Sequence, residues 1–264
     1  MKINNTDVQY GGLFKLKGKD WLEKQRVAGK VAARTLLLLE QLVKEKTTLT
    51  TLQLSKLAEE FILDNKCTPT FKNYKSFPEA VCISVNKELV HGIPKDYTLQ
   101  KGDLVSFDLG TTYQGAIADT ALTVIYDDPT SKYNKLIEAC NKALMEGINA
   151  IKVGSRLGCI GYAVSRSAKR DGFVVVNNYG GHGLSWDEPH SSPFIENKGS
   201  VNEGFRLQPG FTGAIEPMLL PTNPNSRVAS DGWTVLTQEI GTHFEHSFYL
   251  HEDHVEIITD RTGL

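Results

Sequence analysis

Residues 102–120 read Gly-Asp-Leu-Val-Ser-Phe-Asp-Leu-Gly-Thr-Thr-Tyr-Gln-Gly-Ala-Ile-Ala-Asp-Thr, and this stretch decides the fold. β-Branched and aromatic residues alternate with small ones, and Gly110 and Gly115 interrupt the middle. That pattern predicts two β-strands joined by a turn. Because successive side chains of a strand point to opposite faces, the first strand directs Asp108 away from its apolar face, and the second presents Asp119. The hairpin therefore offers two carboxylates from paired strands.

The two aspartates of this hairpin need a counter-charge. A desolvated carboxylate must be compensated by a cation or by several hydrogen-bond donors, and residues 102–131 contain no Lys or Arg. A pair of metal ions is one explanation for Asp108 and Asp119. The other is that one of them caps a turn or lies at a solvated end of the sheet. The hairpin alone leaves both explanations open.

The composition is that of a globular protein without a charge excess. The chain has 264 residues, which fits one large domain or two modest ones, and 40% of them are apolar, which is ample for a packed core. With 29 basic and 31 acidic side chains, nothing favours nucleic acid or a membrane surface. We therefore expect a small or neutral partner.

The sequence also lacks features of export. Residues 1–19 contain no apolar segment of the length that a signal peptide needs. The longest leucine run, Leu36–Leu39, is far shorter than the roughly 18 to 20 apolar residues that span a bilayer. The cysteines are scattered without the CxxC spacing of a zinc site or the pattern of a disulfide framework: Cys67, Cys82, Cys140 and Cys159. These observations predict a cytoplasmic protein.

A first pair of helices precedes the hairpin. Residues 20–46 carry one apolar stripe at helical spacing, formed by Ala28, Ala32, Leu36, Leu39 and Val43. Thr50 and Gln53 form the pattern of a capping box, which opens a second helix. Its inward side chains are predicted to be Leu54, Leu57 and Phe61.

A second pair of helices follows the hairpin, over residues 132–152 and 155–170, with the serine that opens the latter range as N-cap. Strands follow again. The order of two helices and then strands therefore occurs twice, which predicts one domain of two pseudo-repeats, about 20–130 and 131–264, preceded by an extension of residues 1–19.

Three further residues join the two aspartates. His182 lies between glycines, and Glu216 and Glu245 each interrupt an apolar strand. Each alone could be a strand-edge charge, but four acids within apolar strands make that explanation poor. Two Asp, two Glu and one His suit divalent ions such as Mn, Fe, Co or Zn. Two adjacent ions that share carboxylates activate water and polarise a carbonyl, which is hydrolytic chemistry.

A loop before the hairpin holds another histidine. His91 precedes Gly-Ile-Pro, and glycine and proline fix such a loop tightly. On its own, this pattern favours a structural role over a catalytic one. Tyr74 and Phe77, beside a proline turn, are predicted to pack against the edge of the core.

Taken in order, these motifs resemble those of the short, type I methionine aminopeptidases. The resemblance runs from about residue 24 to residue 258 and rests on the ordered Asp, Asp, His, Glu, Glu set, together with His91-Gly-Ile-Pro94 and Asp231-Gly-Trp-Thr-Val235. It implies an α+β architecture, the pita-bread fold, in which a curved antiparallel sheet is flanked by two pairs of helices with internal pseudo-two-fold symmetry.

The resemblance also implies roles for the five ligands. Asp108 would chelate one of two divalent metal ions, and His182 and Glu216 would bind the other. Asp119 and Glu245 would bridge the two ions. Glu216 would in addition carry the proton from the attacking water towards the leaving amine.

Substrate contacts follow from the same resemblance. His91 matches a histidine that contacts the scissile amide. An apolar pocket for an unbranched thioether side chain would be lined by Tyr74, Phe77, Cys82 and Trp233. The implied substrate is the N-terminal methionine of a peptide or nascent chain whose next residue is small. We expect a monomer that binds neither nucleic acid nor a membrane.

One segment departs from the family pattern. The family continues from its metal histidine through a glycine-rich turn and an aromatic to a second histidine just before Glu-Glu-Pro. Here the segment after His182 is shorter by about three residues, so Trp186 falls where that histidine is expected and Ser185 where the aromatic is expected. His190 is an alternative occupant, provided that the segment 191–208 folds back.

Other functions are compatible with parts of the pattern. Aminopeptidase P and prolidase share the order of ligands, but they carry a large N-terminal domain for which this chain leaves no room. An X-Pro dipeptidase, or an aminopeptidase of altered specificity, would keep the fold and the metals. A non-catalytic binding module of this fold loses metal ligands, whereas all five are present here.

Overall fold

A computed structural model describes residues 5–11 and 13–264, and within them the helices and strands are as follows. The helices are α1 (Lys19–Lys44), α2 (Thr51–Asp64), α3 (Asn134–Asn149) and α4 (Gly158–Arg170), with a 3₁₀ turn at Tyr74–Ser76. The strands are β1 (Val8–Tyr10), β2 (Phe14–Leu16), β3 (Thr68–Pro69), β4 (Cys82–Val85), β5 (Glu88–Val90), β6 (Leu104–Tyr113), β7 (Ala116–Ile125), β8 (Val174–Val175), β9 (Gly180–Ser185), β10 (Glu188–Glu196), β11 (Thr212–Ile215), β12 (Met218–Leu220), β13 (Ser226–Val228), β14 (Val235–Thr237), β15 (Thr242–His243), β16 (Glu245–Leu250) and β17 (Val255–Ile257).

The predicted hairpin forms the middle of the largest sheet. β6 pairs with β7 along their full length, and the sheet runs in the order β10-β9-β11-β16-β7-β6-β3, with β4 also paired to β6 and β17 to β16. Every pairing is antiparallel. The sheet is curled and carries four helices, so the predicted α+β pita-bread class is confirmed.

Helix α1 packs along the hairpin through the predicted stripe. The five stripe residues are all buried, with at most 1% of their surface exposed. Two polar contacts fix the helix on the sheet: the Thr111 hydroxyl donates to the Ala28 carbonyl at 2.8 Å, and the Gln25 amide donates to the Ile117 carbonyl at 3.1 Å. Helical amphipathicity therefore sets the position of β6 and β7.

Helix α2 begins with the predicted capping box. The Gln53 N–H donates to the Thr50 hydroxyl at 3.3 Å, and the Thr50 N–H donates to the Gln53 side chain at 2.9 Å. The predicted inner face is partly wrong, because Leu57 is exposed. The helix instead buries a row with a strict spacing of four residues, formed by Leu54, Ala58 and Ile62.

Helix α4 starts later than predicted. It begins at Gly158, and the serine expected as its N-cap, Ser155, accepts from the Lys152 N–H and donates to the Lys152 carbonyl. Ser155 therefore closes the turn before the helix. The predicted extension lies partly outside the described residues, at 1–4 and 12. Its described part forms the hairpin of β1 and β2 and reaches the first residue of α1.

The division into two pseudo-repeats within one domain stays a prediction. Within the described part of the chain, no helix has the length and apolar content to cross a membrane.

Gly29 lets α1 approach the segment after β17. A Cβ built at Gly29 would lie 2.3 Å from the carbonyl oxygen of Ile258. We expect Gly29→Ala to lower the free energy of unfolding, because overpacking costs about 1–3 kcal/mol, more than the roughly 0.5–1 kcal/mol that alanine contributes in a helix interior. Urea denaturation measures the change. Lys30→Ala, at an exposed neighbouring position of α1, is the control; a Gly29→Ala protein as stable as this control would contradict the packing argument.

Candidate metal centre

Five adjacent strands of the large sheet each bring one predicted ligand to a common point. In spatial order, His182 lies on β9, Glu216 directly follows β11, Glu245 opens β16, Asp119 lies on β7 and Asp108 lies on β6. In the sequence these residues are far apart. The sheet topology therefore assembles the cluster.

Strand register explains why the carboxylates share a face. Asp108 and Glu245 both lie opposite Ala121, one on each side of β7. Side chains directly opposite each other in an antiparallel pair lie on the same face, and so do residues two apart on one strand. Asp119 therefore joins the other two carboxylates on the concave cluster face. A shift of the register by one residue would turn these side chains to the other face.

The glycines around His182 allow its strand to fit. His182 lies opposite Ala214, two residues before Glu216. A Cβ built at Gly181 would lie 2.1 Å from the Ala214 carbonyl oxygen, and one at Gly183 would lie 2.2 Å from a carbonyl oxygen of β10. Real Cβ atoms cannot lie so close to a carbonyl oxygen. Only glycine at these two positions therefore allows β10 and β11 to pack this closely against β9. This close packing holds the imidazole beside Glu216.

The five side chains form two overlapping groups of three. His182, Glu216 and Glu245 bring one ligand atom each within 4.8 Å of one another, and so do Asp108, Asp119 and Glu245. The His182 Nε2 atom lies 3.5 Å from Glu216 Oε1, 3.8 Å from Asp119 Oδ2 and 4.0 Å from Glu245 Oε1. Because Glu245 belongs to both groups, the five side chains form one continuous cluster whose oxygen and nitrogen atoms are placed to hold divalent metal.

The chemistry of this donor set fits divalent cations. Among the described residues, no hydrogen-bond donor reaches Oδ1 of Asp108, Oδ1 of Asp119 or Oε1 of Glu245, although all three oxygens are buried. Burial and the neighbouring carboxylates raise the pKa values of Asp108, Glu216 and Glu245 well above their usual range, and burial raises the pKa of Asp119 to about 7. When these buried oxygens are ionised, cations must compensate their charge, because no hydrogen-bond donor in the described part of the chain does so.

His91 reaches the cluster from the loop after β5. Its backbone has a φ of +57°, an uncommon conformation for a residue other than glycine and one that often occurs at functional sites. Burial lowers the pKa of His91 to about 4, so the imidazole is neutral at pH 7. Its ring meets Trp233 at 6.0 Å and Tyr179 at 6.3 Å between centroids.

The predicted pocket residues come together beside Asp108. A narrow apolar recess next to the cluster is lined by Tyr74, Phe77, Cys82 and Trp233, together with His91 and Phe71. Phe77 packs edge-on against Trp233 at 5.2 Å between centroids. The recess opens into a cleft of about 230 Å³ whose wall includes all five cluster residues.

The expectation that Trp186 occupies the place of a second histidine is wrong. The chain turns at residues 186–187, so β10 runs back along β9 and carries His190 to the cluster. The His190 ring lies 4.5 Å from the His182 ring and 5.3 Å from that of Tyr74. Ser-Ser-Pro follows His190 in the place of the family's Glu-Glu-Pro.

Trp186 instead joins the tip of this hairpin to the N-terminal segment. Its Nε1–H donates to Asp7 Oδ2 at 2.8 Å, and its ring packs edge-on against Trp21 at 4.8 Å. Asp7 also accepts from the buried Lys17 ammonium at 3.2 Å, and Lys17 donates to Ser185 at 3.0 Å. An indole fits this structural position because it combines apolar area with one donor.

Two residues near Glu216 were not predicted from the sequence. His243 Nε2 lies 3.5 Å from Glu216 Oε2, and the Asn197 amide donates to the Glu216 carbonyl at 2.8 Å. A signal for His243 exists in the sequence, because it stands two residues before Glu245. No local sequence pattern predicts that Asn197 contacts Glu216, because it directly follows the end of β10, far from Glu216 in the sequence.

The fold and this carboxylate-rich cluster define a class, the metal-dependent hydrolases. The sequence pattern described as metallopeptidase family M24 matches residues 23–252, so the chain belongs to this family. The enzyme is therefore a metal-dependent peptide hydrolase, and family membership implies the use of divalent metal.

Comparison with individual proteins narrows the similarity to the methionine aminopeptidases. The chain is 38% identical to the methionine aminopeptidase of Mycoplasma capricolum over 94% of this chain and 98% of the relative. It is 37% identical to methionine aminopeptidase 1 of Bacillus subtilis over 89% and 94%. The predicted resemblance to the methionine aminopeptidases is thus confirmed.

Solved structures agree. The crystal structure of methionine aminopeptidase from Rickettsia prowazekii superposes with a TM-score of 0.89 at 34% identity and covers 94% of this chain and 100% of that one. The prolidase from Pyrococcus horikoshii has a TM-score of 0.72 at 19% identity, and the match covers 93% of this chain and 63% of the prolidase. That second similarity shows the fold alone.

The buried carboxylates should make the metal-free protein less stable as the pH rises from 6.5 to 8. Asp119, with its pKa of about 7 against an ordinary value of 3.8, holds its proton more tightly in the folded state, and folding stability falls where the folded state binds more protons. The opposite trend from the buried histidines, whose pKa values are lowered, fades above pH 6.5, because the imidazoles of the unfolded state lose their protons there. Urea unfolding in a chelator measures the slope.

Added divalent metal should reverse this slope, because the metal binds the deprotonated ligands. Asp119→Asn should flatten the slope of the metal-free protein, since it removes a titrating group. A wild-type slope that is the same with and without metal would contradict the assignment of the cluster as a cation site.

Proposed function

We propose that this protein removes the N-terminal methionine from peptides and nascent chains whose second residue is small. The observation that carries the proposal is the pair of overlapping ligand groups beside an apolar recess. The names of the relatives at 37–38% identity support the choice of methionine.

In this proposal two divalent ions, of Mn, Fe, Co or Zn, would be held by five residues. Asp108 would chelate one ion, His182 and Glu216 would hold the other, and Asp119 and Glu245 would be shared between them. Shared membership of Glu245 in both groups supports its bridging role. Bound ions of this kind supply a Lewis acid for the substrate carbonyl and lower the pKa of the attacking water.

Side chains around the ions handle the proton and the scissile amide. Glu216 takes the proton of the attacking water and delivers it to the leaving amine, a transfer that requires a carboxylate within hydrogen-bond reach of both. His91 contacts the reacting amide as a neutral imidazole. His190 takes the second position on the substrate, since its ring adjoins that of His182 on the wall of the cleft.

The apolar recess binds the methionine side chain. Phe77 and Cys82 are buried at its base, and Tyr74 and Trp233 border it. Aromatic and thiol walls contact a thioether favourably, and an unbranched chain suits a narrow opening.

The proposal also covers the oligomeric state and the location of the enzyme. We propose that the enzyme acts as a monomer in the cytoplasm, where nascent chains emerge. All four cysteines are free, as in a reducing compartment. An X-Pro dipeptidase is not proposed, because the similarity to the prolidase extends to the fold alone.

We expect the metal-loaded enzyme to hydrolyse Met-Ala-Ser and to leave a Gly-Pro dipeptide intact, because the recess accommodates a thioether. Release of free methionine, followed by chromatography, measures the reaction. Asp108→Asn, which removes one ligand charge at constant size, should abolish turnover and lower the bound metal without unfolding the protein. Preference for Gly-Pro would refute the proposed function, and full activity of Asp108→Asn would refute the ligand assignment.

His190→Ala should lower kcat by about 10²-fold or more, as loss of a hydrogen-bonding or acid–base group at the reacting centre does. Trp186→Phe is the matched control. It should lose the hydrogen bond to Asp7, worth about 0.5–1.5 kcal/mol of stability, with kcat unchanged. Steady-state kinetics on Met-Ala-Ser and urea unfolding separate the two effects. A silent His190→Ala, together with a higher kcat in Trp186→His, would restore the discarded assignment of Trp186.

A further inference from the structure

We propose that His243 is a positioning residue that holds the carboxylate of Glu216 in one orientation by donating a hydrogen bond from Nε2 to Oε2. The inference rests on the proposed function, in which Glu216 is both ligand and proton carrier. Nothing in the role of the five ligands requires a histidine at this place.

The His243 ring is buried and lacks other partners. The residue is 1% exposed, and among the described residues neither ring nitrogen has a hydrogen-bond partner. Leaving a buried donor unpaired costs about 1–3 kcal/mol. Glu216 Oε2 lies 3.5 Å from the ring atom Nε2. At hydrogen-bond length, this contact would be strengthened by the charge of the acceptor.

The backbone of His243 is fixed on both sides. Its N–H donates to the Thr123 hydroxyl at 2.9 Å, and that hydroxyl donates to the His243 carbonyl at 2.8 Å. On its other side, β15 pairs with β12, where His243 lies opposite Met218. These contacts hold the backbone of His243 in place beside Glu216, and burial of the residue restricts rotation of the imidazole.

The two oxygens of Glu216 consequently have different neighbours. Oε1 lies 3.5 Å from His182 Nε2, inside the ligand cluster, and Oε2 lies 3.5 Å from His243 Nε2, behind it. The Glu216 backbone is held separately, by the Asn197 amide at 2.8 Å. A donor at Oε2 stops rotation of the carboxylate and keeps Oε1 directed into the cluster. Such supporting contacts to ligands commonly contribute 10–100-fold to metal affinity or activity.

Two substitutions separate positioning from packing. His243→Gln retains a donor at a similar reach, and His243→Leu removes it but keeps the site filled with apolar volume. Thr242→Val is the matched control, because it removes the buried, unpaired hydroxyl of the adjacent residue on β15. Each purified protein is loaded with Co²⁺, and its visible absorption spectrum, its Co²⁺ affinity, and its kcat and KM on Met-Ala-Ser are measured.

On this proposal His243→Leu changes the Co²⁺ spectrum, loses about 10- to 100-fold in kcat and keeps its KM, whereas His243→Gln and Thr242→Val resemble wild type. Wild-type spectrum and kcat in His243→Leu overturn the proposal. Equal losses in the leucine and glutamine variants overturn it too, because they indicate packing alone. If His243→Leu does not fold, His243→Asn, whose amide is too short to reach Oε2, takes its place with the same expectations.

The experiment distinguishes failure of the proposed function from failure of the role proposed for His243. A wild-type enzyme that does not cleave Met-Ala-Ser refutes the proposed function. The Co²⁺ spectra and affinities of the variants then still decide whether His243 orients Glu216.

Discussion

Four carboxylates gathered in the interior of one sheet are the constraint on which the rest of the structure depends. Burial raises the pKa values of all four, and repulsion by neighbouring carboxylates raises those of Asp108, Glu216 and Glu245 further. Such a cluster is stable only with cations or protons in place. Its geometry requires the antiparallel register that brings Asp108 and Glu245 opposite the same residue of β7. The long helix on the sheet and the paired glycines of β9 serve that register.

Local patterns in the sequence were sufficient for the elements that make this register. Alternation predicted β6 and β7, helical spacing predicted the buried stripe of α1, and the capping box of α2 forms as expected. The resemblance pointed to the five residues that the sheet brings together. Leu57 was misplaced because both faces of α2 offer apolar residues, and only tertiary packing selects between them. Periodicity alone cannot make that choice.

The second histidine was misplaced for a different reason. The expectation for Trp186 follows from a segment after His182 that is shorter than in the family by about three residues, which places Trp186 at the second histidine's position. The position of a side chain in a hairpin instead depends on where the chain turns and on irregularities of register. Here the turn falls at residues 186–187, and the register of β10 shifts twice before Phe194. His190 therefore arrives where Trp186 was expected. His243 illustrates the same limit, since its partner Glu216 is distant in the sequence.

The strand order determines when the cluster can form during synthesis of the chain. β16 lies between β11 and β7 in the large sheet. Asp108 and Asp119 stand on one side of this strand, and His182 and Glu216 on the other. A ribosome-bound chain that has not yet released β16 thus holds two separate half-sites, and pairing across such sequence distances comes late in folding. The five residues can form one cluster only after β16 has been made and has paired with both neighbours.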